Sequence, residues 1–196
     1  MYTTISSEVR HSIVVKNSEF LAFAASVSSV QLALSWLKQL RKRYPDSSHV
    51  CWAYKIGSLY RFSDDGEPSG TAGAPIYRVL EMSGLDFLVL AVVRYYGGTN
   101  LGAGGLARAY GGAVLQVLQI ADRIEVHPRV RLKLVVGFEQ TSLLHRLLEP
   151  FDLTQRTDTF TQDGLEVCCS ALLSDVSKLE LWLRDVTRGQ GKLEVQ

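Results

Sequence analysis

The stretch DFLVLAVVRYYGGTNLGAGGLARAYGGAVLQVL, residues 86–118, decides how the chain is read. Residues 86–93 are apolar without alternation, the pattern of a strand buried on both faces. Seven of the chain's sixteen glycines follow. Leu106, Tyr110, Ala113, Val114, Val117 and Leu118 then form one apolar stripe of a helix ending near Ala121. Glycine inside a helix costs roughly 1 kcal/mol against alanine, so Gly104, Gly105, Gly111 and Gly112 need a reason. Either something packs very close to the backbone, or an anion approaches the unpaired N–H groups of the helix start. We read Gly97, Gly98, Gly102, Gly104 and Gly105 as the anion site and Gly111 and Gly112 as packing.

Upstream, SIVVK and EFLAFAASV within residues 12–26 read as two strands with a turn at Asn17-Ser18. A helix follows, capped by Ser28 or Ser29, with Val30, Leu34, Leu37 and Leu40 at helical spacing and Pro45 beyond its end. HVCWAYKI (49–56) alternates as a strand and can pair with SLYRF (58–62) across Gly57. Residues 63–75 are loop, and a short helix spans Ile76–Met82. After Ile124 the pattern restarts. It runs as a strand over 130–138, a helix stopped by Pro150, and a hairpin turning at Asp163-Gly164. A helix with Val176, Leu179, Leu183 and Val186 on one side and a strand over 192–195 complete it. This β-α-β-β-α-β order is ferredoxin-like. The expected fold is therefore α/β in content (α+β), with domains at 1–125 and 126–196 joined at Glu125–Pro128.

With 46% apolar and 21% charged residues, the 196-residue chain reads as an ordinary globular protein. Residues 1–125 carry a net charge of +2 and residues 126–196 a net of −1. Any nucleic-acid affinity must therefore be local. Met1–Arg10 is polar, and the longest clean apolar run, Phe87–Val93, is far shorter than the ~20 residues a membrane helix needs. Membrane association is not expected. Cys51, Cys168 and Cys169 are odd in number and form no CxxC, which points to a reducing cytoplasm.

The candidate chemistry is concentrated in two loops. Arg94 and Arg108 flank the glycine segment and can add charge-assisted hydrogen bonds to phosphate. Tyr95 and Tyr96 can stack on bases or fill the core. Neither a Walker A nor a GxGxxG dinucleotide motif is present. Asp64, Asp65 and Glu67 place three carboxylates within four positions. They can hold Mg²⁺, shape a turn, or pair with Arg61, Arg78 or Arg94. No cofactor is otherwise expected. His49 and Cys51 share a strand face, yet two ligands do not make a zinc site. His49 reads as structural and Cys51 as a small core residue. Arg129, Arg131 and Lys133 alternate along one strand, either as a stripe for a phosphate backbone or as the solvated face of an edge strand. No set of residues completes a catalytic triad.

Three blocks together resemble the IMPACT family in its bacterial two-domain, YigZ/YvyE-like form. They are HVCWAY at 49–54, DDGEPSGTAGAPI at 64–76 and VVRYYGGTNLGAGGLARAY at 92–110. The resemblance implies a ribosomal protein S5 domain 2-like first domain and a ferredoxin-like second domain similar to elongation factor G domain V. Its motif positions fall on His49, Cys51, Asp64, Asp65, Gly66, Glu67, Pro68, Gly70, Thr71, Ala72, Gly73, Arg94, Tyr95, Gly97, Gly98, Leu101, Gly102, Gly104, Gly105, Leu106, Arg108 and Tyr110. Where the family usually has lysine, this chain has Asn100. Eukaryotic members regulate translation. The expectation is a cytoplasmic, non-enzymatic protein that binds RNA or the ribosome. The alternatives are an enzyme for a small phosphorylated substrate with Mg²⁺ and a protein-interaction module.

Overall fold

A computed structural model describes all residues, Met1–Gln196. The chain folds as two compact α+β units, Tyr2–Val126 and His127–Gln196. No helix is long and apolar enough to cross a membrane.

The first unit runs β1 (Tyr2–Ile5), β2 (Val9–Val15), β3 (Ser18–Ser26), α1 (Val30–Arg43), β4 (His49–Ile56), β5 (Leu59–Ser63), α2 (Gly73–Met82), β6 (Leu88–Tyr95), α3 (Ala103–Gln119) and β7 (Arg123–Val126). Five strands form an antiparallel sheet in the order β2-β3-β6-β4-β5. β6 lies at its centre, and Leu88 to Val93 are all fully buried. That explains the missing alternation: Leu88, Leu90 and Val92 pack under α2 and α3, while Val89, Ala91 and Val93 face α1. β1 pairs with β7, register Tyr2↔Val126 to Ile5↔Arg123, so the first unit includes Val126.

Two local expectations shift. The β2–β3 turn is Lys16-Asn17, both at positive φ, and Ser18 begins β3 fully buried. In α1, capped by the Ser29 side chain on Leu32 N, the buried stripe is Ala33, Leu37 and Leu40, and Leu34 is exposed. The bulkier side chain at residue 34 does not decide which face turns inward; the heptad through Ala33 does.

The second unit contains β8 (Arg129–Val136), α4 (Thr141–Leu148), β9 (Thr154–Phe160), β10 (Leu165–Leu172), α5 (Val176–Val186) and β11 (Lys192–Val195). Its antiparallel sheet has the order β11-β8-β10-β9. Leu132, Leu134, Val167 and Cys169 on one sheet face pack with Leu144 and Leu148 of α4 and with Leu179 and Leu183 of α5. Val186, expected on that stripe, is exposed. β8 is interior to the sheet, so Arg129, Arg131 and Lys133 do not lie on an edge strand.

Candidate functional site

The loop from β5 to α2 gives each of its carboxylates a separate task. Asp64 accepts backbone hydrogen bonds from Gly70, Ala72 and Gly73 at 2.8–2.9 Å. Helix α2 has no cap of its own from Ala72, so Asp64 caps it from a distance in sequence. Burial pushes the Asp64 carboxyl up, but these three hydrogen bonds outweigh it and hold it below the ordinary value. Asp65, at positive φ, accepts from Val50 N at 2.6 Å and pairs with Arg41 of α1.

Glu67 turns inward. Its Oε1 accepts from Arg94 Nη1 at 2.5 Å and from the Tyr110 hydroxyl of α3 at 2.7 Å. The Glu67 and Arg94 side chains are only 4% and 5% exposed. Arg94 also donates from Nη2 to Ser18 Oγ at 3.3 Å, and its guanidinium lies over the rings of Phe20 and Tyr96. Its buried Nε has no acceptor. His49 lies beside this pair, with Nε2 4.0 Å from Glu67 Oε1. Its Nδ1 is 2.8 Å from the Asp65 carbonyl, which can only accept, so Nδ1 carries the proton. The Cys51 thiol donates to the Asp64 carbonyl, and burial pushes its pKa up to about 12. Burial likewise raises the Tyr110 phenol, which stays protonated as a donor. Thr71 is buried and donates its hydroxyl to the Pro68 carbonyl.

Two sequence expectations change here. Asp64, Asp65 and Glu67 do not converge, because each carboxylate faces a different set of partners, and no group of three or more His, Cys, Asp or Glu side chains could hold a metal ion. Arg94 is an internal group matched by Glu67. It supports the glycine loop from beneath and does not face solvent.

The glycine loop itself is open. Gly98 and Gly102 sit at positive φ, and Gly102 opens α3 without any side-chain cap. Gly102, Ala103 and Gly104 are exposed. A Cβ on Gly104 would meet nothing, and one on Gly105 would press only on Leu101. Gly97 differs: a Cβ there would fall 2.1 Å from the Asn17 carbonyl carbon and oxygen, so close backbone packing against the β2–β3 turn accounts for it. Gly111 makes only ordinary contacts and Gly112 none, so close packing does not explain those two. Beside the helix start, a groove of about 240 Å³ is lined by Lys16, Leu101, Gly105 and Arg108, among others. The ion pairs of the chain leave out Lys16, Arg61, Arg78 and Arg108. Tyr96 is exposed and donates to Asn100 Oδ1, whereas Tyr95 packs into the α1-side core.

Residues 16–118, which hold both loops, match the Impact N-terminal domain. The chain belongs to the IMPACT family. It is 38% identical over 181 residues to the "IMPACT family member in pol 5′ region" of Thermus thermophilus, covering 87% of this chain and 99% of that one. It is 37% identical over 143 residues to the IMPACT family member YigZ of Escherichia coli, covering 70% of each. A crystal structure of a hypothetical protein aligns over 98% of this chain and 95% of its own, with TM-score 0.70 and 31% identity.

The matched IMPACT segment begins at Lys16, a residue that sequence reasoning did not single out. It also missed Ser18, which takes hydrogen bonds from Arg94 and from Gly97 N, and the polar role of Tyr110. Outside that segment, the basic stripe of β8 is partly committed. Arg129 pairs with Asp152 and donates to the Ser170 carbonyl, and Lys133 pairs with Glu166, each ion pair at 2.7 Å. Arg131 alone of the three is exposed and unpaired.

Proposed function

We propose that this IMPACT family member is a cytoplasmic, non-enzymatic RNA-binding protein that acts on translation. In this reading the first turn of α3 receives a backbone phosphate on its N–H groups, Lys16 and Arg108 supply the charge, and Tyr96 stacks on a base. One observation carries it: an uncapped, exposed, glycine-built start to a 17-residue helix, beside two cations outside every ion pair. Such a helix end offers unpaired donors and partial positive charge, and glycine lets phosphate approach. Family membership supports placing that binding in translation.

The test is a titration of a labelled, unstructured RNA into the wild type and a Lys16→Ala/Arg108→Ala double variant at about 50 and 200 mM salt. Both side chains are at the surface, so the variant keeps its fold. The expected result is salt-sensitive binding in the wild type and a salt slope reduced by about 1.4 in the variant, for two lost contacts to a single strand. Equal affinity and equal slope in the two proteins would remove the site.

A further inference from the structure

We infer that the open edge of β5 is a docking site for an extended, acidic segment of a partner protein, which joins the five-stranded sheet as a sixth strand. β5 ends the sheet order, with β4 on one side only. A two-residue turn, Gly57-Ser58, with Gly57 at positive φ, joins it to β4 in the register Ile56↔Leu59. A loop of that length makes Ile56 and Leu59 a mutually hydrogen-bonded pair. The alternation of an antiparallel ladder then points the backbone N–H and C=O of Tyr60 and Phe62 away from β4, toward the open edge.

Sheet edges are ordinarily blunted by charges, proline, bulges or cover. β5 has no proline, its register with β4 is unbroken, and Arg61 is its single charge. Leu59 and Tyr60 are each 58% exposed and Phe62 is 41% exposed. On the α2 side, Tyr60 and Phe62 both stack against Tyr77, at 4.6 and 5.9 Å between ring centroids. The edge therefore presents a firm aromatic floor beside two outward-facing backbone rungs. By contrast, the edge strand β9 carries Arg156 and Asp158, locked to each other.

The charge around this edge selects the occupant. Arg61 projects to the sheet face opposite Tyr60 and Phe62 and joins no ion pair within the chain, whereas on the floor side Arg78 of α2 is offset by Glu81, which accepts from the Tyr77 hydroxyl, so the carboxylates belong on the Arg61 face. A strand with apolar side chains over the aromatic floor and carboxylates on the alternate face complements both features. A second copy does not. Pairing all five residues of β5 with themselves sets Arg61 against Arg61, and like charges directly opposite destabilise a ladder.

The test uses a phage-displayed library of random dodecapeptides, panned on the full chain. An enriched peptide is then titrated into the wild type, Tyr60→Pro and Arg61→Glu. Proline at Tyr60 deletes an outward N–H while sparing the β4 ladder. Arg61→Glu alters only a surface charge and keeps the test valid should the proline variant unfold. The expected outcome is alternating apolar and acidic sequences whose binding weakens about tenfold in each variant. Changing the peptide's acids to lysine restores binding to Arg61→Glu, and RNA affinity is untouched in both variants. No enrichment, or peptides that bind both variants as tightly as the wild type, would overturn the proposal.

Discussion

Glu67 and Arg94 form an ion pair inside the first unit, joining the acidic loop to the C-terminal end of the central strand β6. Removing one member of such a pair leaves an uncompensated buried charge, at a cost of about 3–5 kcal/mol. Glu67→Gln and Arg94→Met should each fall in that range by urea unfolding. The double variant should lose much less than the two losses added, because no charge is then stranded. Additive losses would show that the two side chains act separately. Arg94 is consequently a poor probe of RNA binding, since its loss disturbs the support of the glycine loop.

The glycines divide into two testable groups. Gly97→Ala forces a side chain into the Asn17 backbone and should cost about 2–4 kcal/mol. Gly104→Ala places a methyl group in open space on a helix and should raise stability by about 0.5–1 kcal/mol. The same Gly104 variant should bind RNA more weakly, because the methyl group obstructs phosphate at the helix start. A thermal melt and an RNA titration on one protein sample check both statements.

Asp64 makes α2 sensitive to acid. Its carboxyl is held below its ordinary value, so the stability it contributes is complete at neutral pH and is lost as pH falls through its folded value, below about pH 4. Asp64→Ala should cost about 1–2 kcal/mol at pH 7, in line with the loss of a helix cap. The gap between wild type and variant should narrow in unfolding curves taken toward pH 3. A constant gap would show that the carboxylate's charge does not matter.

The thiols should separate by reactivity. Cys51 is fully buried with its pKa pushed up to about 12, and burial also raises that of Cys169. Cys168 sits half-buried on the opposite sheet face. Iodoacetamide at pH 8 should label Cys168 first, with Cys51 modified only on unfolding, as read by peptide mass spectrometry. Early labelling of Cys51 would mean that β4 opens locally.

Much of the fold was legible where the signal is local. The unbroken apolar run of β6, the Ser29 cap of α1 and the Asp-Gly turn before β10 each reflect physics within a few residues. β1 and β7 were not legible. They are four-residue strands that pair only with each other, too short for any periodicity to show. The site was half legible for the same reason. Three close carboxylates were visible, but their partners Arg41, Val50 and Tyr110 are set by tertiary packing. Arg41 reads as an ordinary cation at a helix end, and Tyr110, although a family-motif position, reads as one member of an apolar stripe, so neither showed which carboxylate it would meet. Gly97 and Gly104 look alike in sequence, and only the path of the β2–β3 turn separates them.

The pairing of Tyr2 with Val126 also sets a timetable for synthesis. β1 leaves the ribosome early, yet its only strand partner emerges last in that unit. At about 5–20 residues per second the delay is roughly 6–25 s. During that interval Ile5, fully buried in the finished protein, has no completed home. The nascent chain must therefore carry β1 without its strand partner until nearly all of the unit has been translated.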